Sequence, residues 1–275
     1  MDTDNILKEI RKQTLTAACM GGDANLQSIF SSYEIIWALY DQILDLEKIK
    51  DGVPDRDYFV CSKGQSALGH LIILAQKGII EPQELEGYCG FHSRISMQAD
   101  RTKFQRGIEV SAGSLGHGFP VAVGIAMSKK INQHGGKIIV LAGDGEMNEG
   151  TMWEACALAS GRKLDNLYLI IDDNASVSEM IDFGDMAGRL RAFGFECVEA
   201  DGHNVAEIEK AFLQLKHLEK PHALIAKTRR GYGSRTLMTK KEWFHKAPDK
   251  NSLLLLQNEI EEFDKEDAKN YVLME

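Results

Sequence analysis

Apolar residues in the second half of the chain occur in short runs separated by stretches with helical periodicity. Four runs predict buried strands: 137–142 (KIIVLA), 166–172 (NLYLIID), 195–200 (FECVEA) and 222–227 (HALIAK). Between them, helices are predicted near 148–161 and 185–193, and Asn204 is expected to cap another. Strands that alternate with helices predict an α/β fold, with a parallel sheet covered by helices on both faces.

The first half is predicted to be mainly helical. Apolar residues at helical spacing predict a helix within 4–19 and another at 66–77. Ser31 and Glu34 have the spacing of a capping box, which predicts that a helix opens at Ser31. The segment 55–62 (DRDYFVCS) predicts a charged turn that leads into a short strand.

Composition and charge exclude several classes of protein. Hydrophobic residues make up 44% and charged residues 27%, and no repeat divides the chain, so we expect one domain at 1–250 and a tail at 251–275 with a helix over 252–268. A net charge of −9 argues against a nucleic-acid partner. No apolar run is long enough to span a membrane. The amino terminus lacks a signal-peptide core and the five cysteines form no CxxC pair, which indicates a cytoplasmic protein.

The clearest chemical signal is the segment GDGEMNEG at 143–150, directly after a predicted strand. Asp144 lies between two glycines, where it would repel a bare pyrophosphate but could bind a divalent cation that bridges to a diphosphate. Asn174 follows the next predicted strand, so both side chains are expected at the ligand-binding edge of the sheet. The spacing alone leaves two interpretations open: a metal site, or a helix-capping aspartate and a turn asparagine.

Several motifs in order resemble those of the transketolase family. They are GDGEMNEG with LDNLYLIIDDN, DRDYFVCSKGQSALG, EVSAGSLGHGFPVAVGIAMS, ADGHN, KPHALIAKTRRGYG and EWFHKAP, together covering roughly residues 5–250. The resemblance implies the thiamine diphosphate-binding fold, with that cofactor and Mg²⁺ or Ca²⁺ bound. It implies that the side chains of Asp144 and Asn174 and the backbone oxygen of Ser176 hold the metal.

The same resemblance implies two further sets of site residues. The cofactor-binding set is Gly113, Leu115, Gly116, Gly143, Asp144, Gly145, Glu146 and Asn174. The catalytic set is His117, Glu149, Gln65, Gln98 and His245. Glu149 resembles a glutamate that links paired cofactor sites across an interface, and it is equally suited to stabilise the first turn of a helix.

Four positions depart from the family pattern. Asn25, Gln65, Gln98 and Phe244 stand where transketolases have histidines, and His245 lies one place after the last of them. Gln and Asn keep hydrogen-bonding groups but cannot transfer protons near neutral pH. We therefore expect a sugar-like substrate that differs from the usual pentose phosphates.

The resemblance also implies a partner. Transketolases carry a catalytic glutamate on a second, pyrimidine-binding domain, which this sequence does not contain. We therefore expect the N-terminal subunit of a split transketolase, joined to a separate C-terminal subunit in an α2β2 heterotetramer. Its expected reaction moves a two-carbon ketol or related acyl unit from a ketose-like donor to an aldehyde. The alternatives are an acyloin-forming or decarboxylating thiamine enzyme and a non-catalytic cofactor-binding subunit.

Overall fold

Five parallel strands form one sheet in the computed structural model, which describes residues 2–104, 106–176, 181, 183–268 and 271. The strands are β1 (Tyr58–Cys61), β2 (Ile138–Gly143), β3 (Leu167–Asp173), β4 (Glu196–Asp201) and β5 (His222–Lys227). They are arranged in the order β1-β2-β3-β5-β4. All four strands predicted in the second half are confirmed to within one residue at each end.

Helices connect and flank these strands. The α-helices of the described residues are α1 (Thr3–Gly21), α2 (Leu26–Ser31), α3 (Tyr33–Ala38), α4 (Leu46–Asp51), α5 (Ala67–Gln76), α6 (Gly118–Ile131), α7 (Gly150–Gly161), α8 (Met186–Ala192), α9 (Val205–Phe212), α10 (Arg235–Thr239), α11 (Lys250–Glu261) and α12 (Lys265–Ala268). Short 3₁₀ turns occur at Gly64–Ser66, Pro82–Leu85, Asp144–Asn148 and Lys241–Trp243, and a π turn at Leu39–Ile43. Among the residues that the structure describes, no helix is long and apolar enough to cross a membrane.

The side chains of β2 show why the sheet is covered on both faces. Ile138 and Val140 are buried in one apolar cluster, with residues of α6, α7 and α8. Ile139 and Leu141 are buried in a second cluster, with residues of α1, α2, α3, α5, α9 and α11. Because successive strand residues point to opposite faces, an uninterrupted apolar strand requires cover on both sides. The predicted α/β fold is therefore confirmed.

The predicted helix opening at Ser31 is wrong. Ser31 ends α2 instead, and its hydroxyl donates a hydrogen bond to Asp172 at 2.7 Å. Glu34 is buried and accepts a 2.6 Å hydrogen bond from the guanidinium of Arg11. Both side chains of the apparent capping box are engaged by residues distant in sequence, which local spacing cannot reveal.

The tail forms two helices rather than the single predicted one. The first, α11, begins at Lys250 because the Asp249 carboxylate accepts the backbone N–H of Ser252 at 2.8 Å. Leu256 and Ile260 of α11 are buried in the same apolar cluster as residues of α1. The tail helix is thus part of the core that supports the sheet.

Candidate cofactor site

Asp144 lies at the carboxyl end of β2, in the 3₁₀ turn that follows it, and only 5% of it is exposed. Its Oδ1 accepts hydrogen bonds from the Gly145 N–H at 2.9 Å and from the Ser176 hydroxyl at 2.6 Å. Its Oδ2 accepts the Ser176 N–H at 2.6 Å. Burial raises the pKa of Asp144, and the hydrogen bonds from Ser176 oppose that shift.

Asn174 directly follows β3, which is the strand next to β2 in the sheet. Its side chain is buried; Nδ2 donates to the Ser31 hydroxyl at 3.4 Å, whereas Oδ1 has no hydrogen-bond partner. A buried oxygen without a donor is the kind of group that a hard cation satisfies. In the described ranges no three His, Cys, Asp or Glu side chains cluster for a metal, so a cation here would need this amide oxygen beside Asp144.

Ser176 has two roles at this edge of the sheet. Its N–H and hydroxyl bind Asp144, which brings two of the three predicted metal ligands into direct contact. Its carbonyl oxygen, the atom expected to bind the metal, accepts a 3.0 Å hydrogen bond from Nη2 of Arg230. The donor set of Asp144, Asn174 and Ser176 fits a divalent cation chemically, and Arg230 borders it.

Glu146 joins the two glycine loops that are expected to hold the cofactor. It is fully buried; Oε1 accepts the Gly116 N–H at 3.0 Å, and Oε2 accepts the Gly143 N–H at 3.1 Å. The hydroxyl of Ser62 donates a third hydrogen bond to Oε1 at 2.7 Å. Burial raises the pKa of Glu146, against the lowering effect of these donors.

Close packing explains why glycine is needed in the loop that contains Gly113 and Gly116. Gly116 has a φ of +76°, and a Cβ there would lie 2.5 Å from Cβ of Glu149. A Cβ on Gly113 would overlap the amide oxygen of Gln98. The half-buried Leu115 lies between these glycines. The loop therefore passes closely between Gln98 and Glu149.

His117 and Glu149 are both exposed and precede helices that begin at this edge. His117 is the residue before α6, and its Nδ1 lies 3.0 Å from the carbonyl oxygen of Leu115. Glu149 precedes α7, and its N–H donates to the Glu146 carbonyl at 2.9 Å. Their exposure leaves both side chains accessible to a substrate or to another subunit.

The three other predicted catalytic residues are placed differently from one another. Gln65 is half-buried in the 3₁₀ turn after β1, and the exposed Gln98 has its amide beside Gly64 and Gly113. His245 instead pairs with Asp23, with Nδ1 and Oδ1 3.0 Å apart, and more than half of its side chain is exposed. Gln98 therefore lies against the glycine loop, whereas His245 is paired with Asp23.

Sequence reasoning missed a buried ion pair beneath the site. The ammonium of Lys63 binds the carboxylate of Asp172, and it also donates to the Ser28 carbonyl at 2.8 Å and the Ser31 hydroxyl at 3.0 Å. The hydroxyl of Thr228 donates to the other oxygen of Asp172. The one available signal was an aspartate within the otherwise apolar run LYLIID.

A cavity of about 510 Å³ opens beside Asn174 and Ser176. Arg230 and Phe244 form part of its lining, with the guanidinium carbon 5.1 Å from the ring centre. Phe244, at one of the substituted histidine positions, is therefore near the expected metal ligands.

The chain is similar to known proteins over most of its length. A family model described as the transketolase thiamine diphosphate binding domain matches residues 23–266. The chain is 34% identical over 238 residues to one subunit of the apulose-4-phosphate transketolase of Actinobacillus succinogenes, covering 84% of this chain and 86% of that protein. It is 31% identical over 240 residues to the 6-deoxy-6-sulfo-D-fructose transketolase subunit SqwG of Clostridium sp. strain MSTE9. The match covers 85% of this chain and 87% of that subunit.

Longer transketolases match over only part of their length. Human transketolase is 34% identical over 267 residues, covering 94% of this chain and 41% of the human protein. The solved transketolase of Campylobacter jejuni superposes with a TM-score of 0.79 at 28% identity, covering 96% of this chain and 44% of that one. The chain thus spans less than half the length of these transketolases and most of the length of the separate subunits. It belongs to the transketolase family and corresponds to the family's thiamine diphosphate-binding domain.

Proposed function

We propose that this chain is the cofactor-binding subunit of a split transketolase, which transfers a two-carbon ketol unit from a ketose-like donor to an aldehyde. The main observation in support is that Asp144 and Asn174 follow two adjacent parallel strands at the same edge of the sheet, with Asn174 Oδ1 buried and unpartnered. Its similarity over most of their length to relatives named as transketolase subunits supports the same assignment.

The binding groups at the edge of the sheet have distinct roles in this proposal. Asp144, Asn174 and the carbonyl of Ser176 would hold Mg²⁺ or Ca²⁺, which neutralises part of the diphosphate charge. Backbone N–H groups near Gly145 and at the start of α6 would bind phosphate oxygens. Thiamine diphosphate, when bound, would supply the nucleophilic carbon for breaking and forming carbon–carbon bonds. Glu146 holds the two glycine loops together.

The polar groups around the cofactor would orient the sugar-like substrate. Gln65 and Gln98 can donate and accept hydrogen bonds with hydroxyl groups, but they cannot transfer a proton at neutral pH. His117 is exposed beside the glycine loop, so its imidazole is our candidate for proton transfer. His245 remains a proposed catalytic residue; its imidazole pairs with Asp23, and more than half of its side chain is exposed.

A second subunit is part of the proposal. Two relatives are named as subunits, which supports a separate C-terminal chain that supplies the pyrimidine-binding domain and its glutamate. We propose an α2β2 assembly in the cytoplasm, in which Glu149 reaches the interface between cofactor sites. Glu149 is exposed at the start of α7, as such a contact requires.

The substrate is proposed to be a modified sugar. The relatives' names specify apulose-4-phosphate and 6-deoxy-6-sulfo-D-fructose, both anionic and neither a standard pentose phosphate. The altered positions Asn25, Gln65, Gln98 and Phe244 support a similar departure here.

The test is reconstitution. The chain is purified alone and together with a transketolase C-terminal subunit, and both samples are given thiamine diphosphate, Mg²⁺ and a panel of ketose donors with aldehyde acceptors. We expect ketol transfer only from the reconstituted complex. Full activity of the isolated chain would contradict the split arrangement, and decarboxylation without an aldehyde acceptor would favour a different thiamine enzyme.

A further inference from the structure

The hydroxyl of Ser31 contacts both the proposed metal ligand Asn174 and the buried carboxylate of Asp172. Its Oγ is 2.7 Å from Oδ2 of Asp172 and 3.4 Å from Nδ2 of Asn174. These two partners are two residues apart at the carboxyl end of β3, and alternate residues of an extended strand point to the same face. All three side chains are buried. A single hydroxyl at the end of α2 therefore joins the interior of the sheet to the proposed cation site.

The groups around Ser31 decide where its one hydroxyl proton points. The ammonium of Lys63 lies 3.0 Å from Ser31 Oγ and can only donate a hydrogen bond to it. The carboxylate of Asp172, which is paired with Lys63, and the carbonyl of Ser28 at 3.0 Å are both acceptors. The proton of Ser31 must therefore point to one of these acceptors. Its lone pairs are left for Lys63 and Asn174.

This arrangement selects one orientation of the Asn174 amide. An amide side chain has an NH₂ donor at one end and an oxygen acceptor at the other, so a half-turn exchanges them. The NH₂ end can donate to a lone pair of Ser31, whereas the half-turned amide would place two oxygens against each other. Even a long 3.4 Å contact is therefore enough to choose between the two orientations. Oδ1 is left buried and without a hydrogen-bond partner among the described residues.

We propose that Ser31 is a positioning residue, whose hydroxyl is oriented by Lys63 and Asp172 and holds the Asn174 amide with its oxygen towards the cation. A hard cation takes oxygen ligands, and the NH₂ end of the amide is not one. The inference rests on the proposed function and adds to it a residue that acts through Asn174. Groups that orient metal ligands in this way typically contribute ~10- to 100-fold to metal affinity.

The first test measures cation affinity in the complex with the partner subunit, with thiamine diphosphate in excess. Mn²⁺ is the probe, because it suits the same oxygen ligands as Mg²⁺ and its free form is measured by electron paramagnetic resonance. Ser31→Ala removes the hydroxyl and should weaken Mn²⁺ binding by ~10- to 100-fold. Ser31→Cys fills the same space with a weakly hydrogen-bonding thiol, so it should also weaken binding without leaving a void.

The second test repeats Ser31→Ala together with Asn174→Asp. A carboxylate presents an oxygen to the cation in either orientation, so Ser31 then has no orientation to select. We expect loss of the Ser31 hydroxyl to weaken Mn²⁺ binding by less than ~3-fold in the Asn174→Asp background, against ~10-fold or more when Asn174 is intact. A hydroxyl that only supports the fold would have the same effect in both backgrounds.

Ser32→Ala is the matched control. The Ser32 hydroxyl is also fully buried, and it donates to the Ser28 carbonyl at 3.2 Å and to the Ser66 hydroxyl at 2.8 Å. We expect its removal to leave Mn²⁺ affinity within ~3-fold of wild type, because it does not orient a metal ligand. Thermal unfolding of every variant establishes that it is folded.

Three outcomes would overturn the role of Ser31 and leave the proposed function intact. One is unchanged Mn²⁺ affinity in the folded Ser31→Ala or Ser31→Cys complex. Another is an equal loss from Ser31→Ala with and without Asn174→Asp, and the third is an equal loss in Ser32→Ala. Failure of the wild-type complex to bind thiamine diphosphate with Mn²⁺ would instead overturn the proposed function, and this inference with it.

Discussion

The ammonium of Lys63 lies against the carboxylate of Asp172 in the interior, where the two side chains are 5% and 0% exposed. Lys63 follows β1 and Asp172 is in β3, so the pair links two strands that are separated in the sheet by β2. The Ser31 and Thr228 hydroxyls bind the same carboxylate, which joins four segments of the chain below the cofactor site.

Removing one partner of this pair should strongly destabilise the protein. We expect Lys63→Met to lower the free energy of unfolding by ~3–5 kcal/mol, because it leaves the Asp172 charge buried without compensation. The double variant with Asp172→Asn should recover much of the loss. Lys227→Met is the control, since its pair with Asp173 is largely exposed on the lysine side and should contribute under ~1 kcal/mol. Equal losses in the two single variants, measured by urea unfolding, would contradict this explanation.

Glu146 should matter for stability as well as for binding. Glu146→Ala leaves the buried N–H groups of Gly116 and Gly143 without an acceptor, so we expect a loss of at least ~3 kcal/mol in unfolding free energy. Glu149→Gln in the same segment alters an exposed side chain and should change stability by less than ~0.5 kcal/mol. Thermal melts of both variants check the prediction, and a stable Glu146→Ala protein would mean that the loops do not depend on this carboxylate.

Metal-dependent cofactor binding should depend on Asp144. We expect Asp144→Ala to abolish the Mg²⁺-dependent part of thiamine diphosphate binding, because it removes the only carboxylate we assign to the cation. Asp173→Asn is the control: its carboxylate pairs with Lys227 at 2.6 Å, at the end of the neighbouring strand. Calorimetry with and without chelator, with the partner subunit present, separates the Mg²⁺-dependent part of thiamine diphosphate binding from the part that does not need Mg²⁺. Unchanged Mg²⁺ dependence in Asp144→Ala would refute the assignment.

The free energy of unfolding should decrease in acid because Glu34 becomes protonated. Burial by itself would raise the pKa of Glu34, but Arg11 at 2.6 Å and the hydrogen bond from His203 lower it to about 2 from an ordinary value of 4.5. A lowered folded-state pKa stabilises the protein above pH 4.5, and this contribution is lost as the pH falls towards 2. The stability difference between wild type and Glu34→Gln should therefore shrink over that interval. A difference that stays constant in urea titrations would show that Glu34 is not responsible.

The reconstituted enzyme should be inefficient on the usual pentose phosphates. With xylulose 5-phosphate and ribose 5-phosphate we expect kcat/KM below ~10⁴ M⁻¹s⁻¹, because Asn25, Gln65, Gln98 and Phe244 lack proton-transferring side chains. Steady-state kinetics on this pair, beside an anionic modified sugar, test the expectation. Efficient turnover of the pentose phosphates would mean that the glutamines and His245 substitute adequately for the histidines.

Elements with a strong local pattern were predictable, and contacts between distant segments were not. Apolar runs located four strands to within a residue, and Asn204 caps α9 as its spacing indicates. Ser31 and Glu34 had the spacing of a capping box, yet each binds a residue from another part of the fold. The placement of His245 beside Asp23 likewise depends on how the chain returns to the end of α1. Tertiary packing decides such pairings, and the spacing of residues along the sequence gives no information about it.

The triple engagement of Glu146 has a consequence for the thermodynamics of assembly. One carboxylate accepts hydrogen bonds from both glycine loops. The loops therefore lose their conformational entropy when the chain folds rather than when a ligand binds. Cofactor association at this half of the site should therefore involve little ordering of the loops that contain Gly116 and Gly143. In the proposed split enzyme, the entropic penalty of completing the active site would then fall mainly on docking the second subunit.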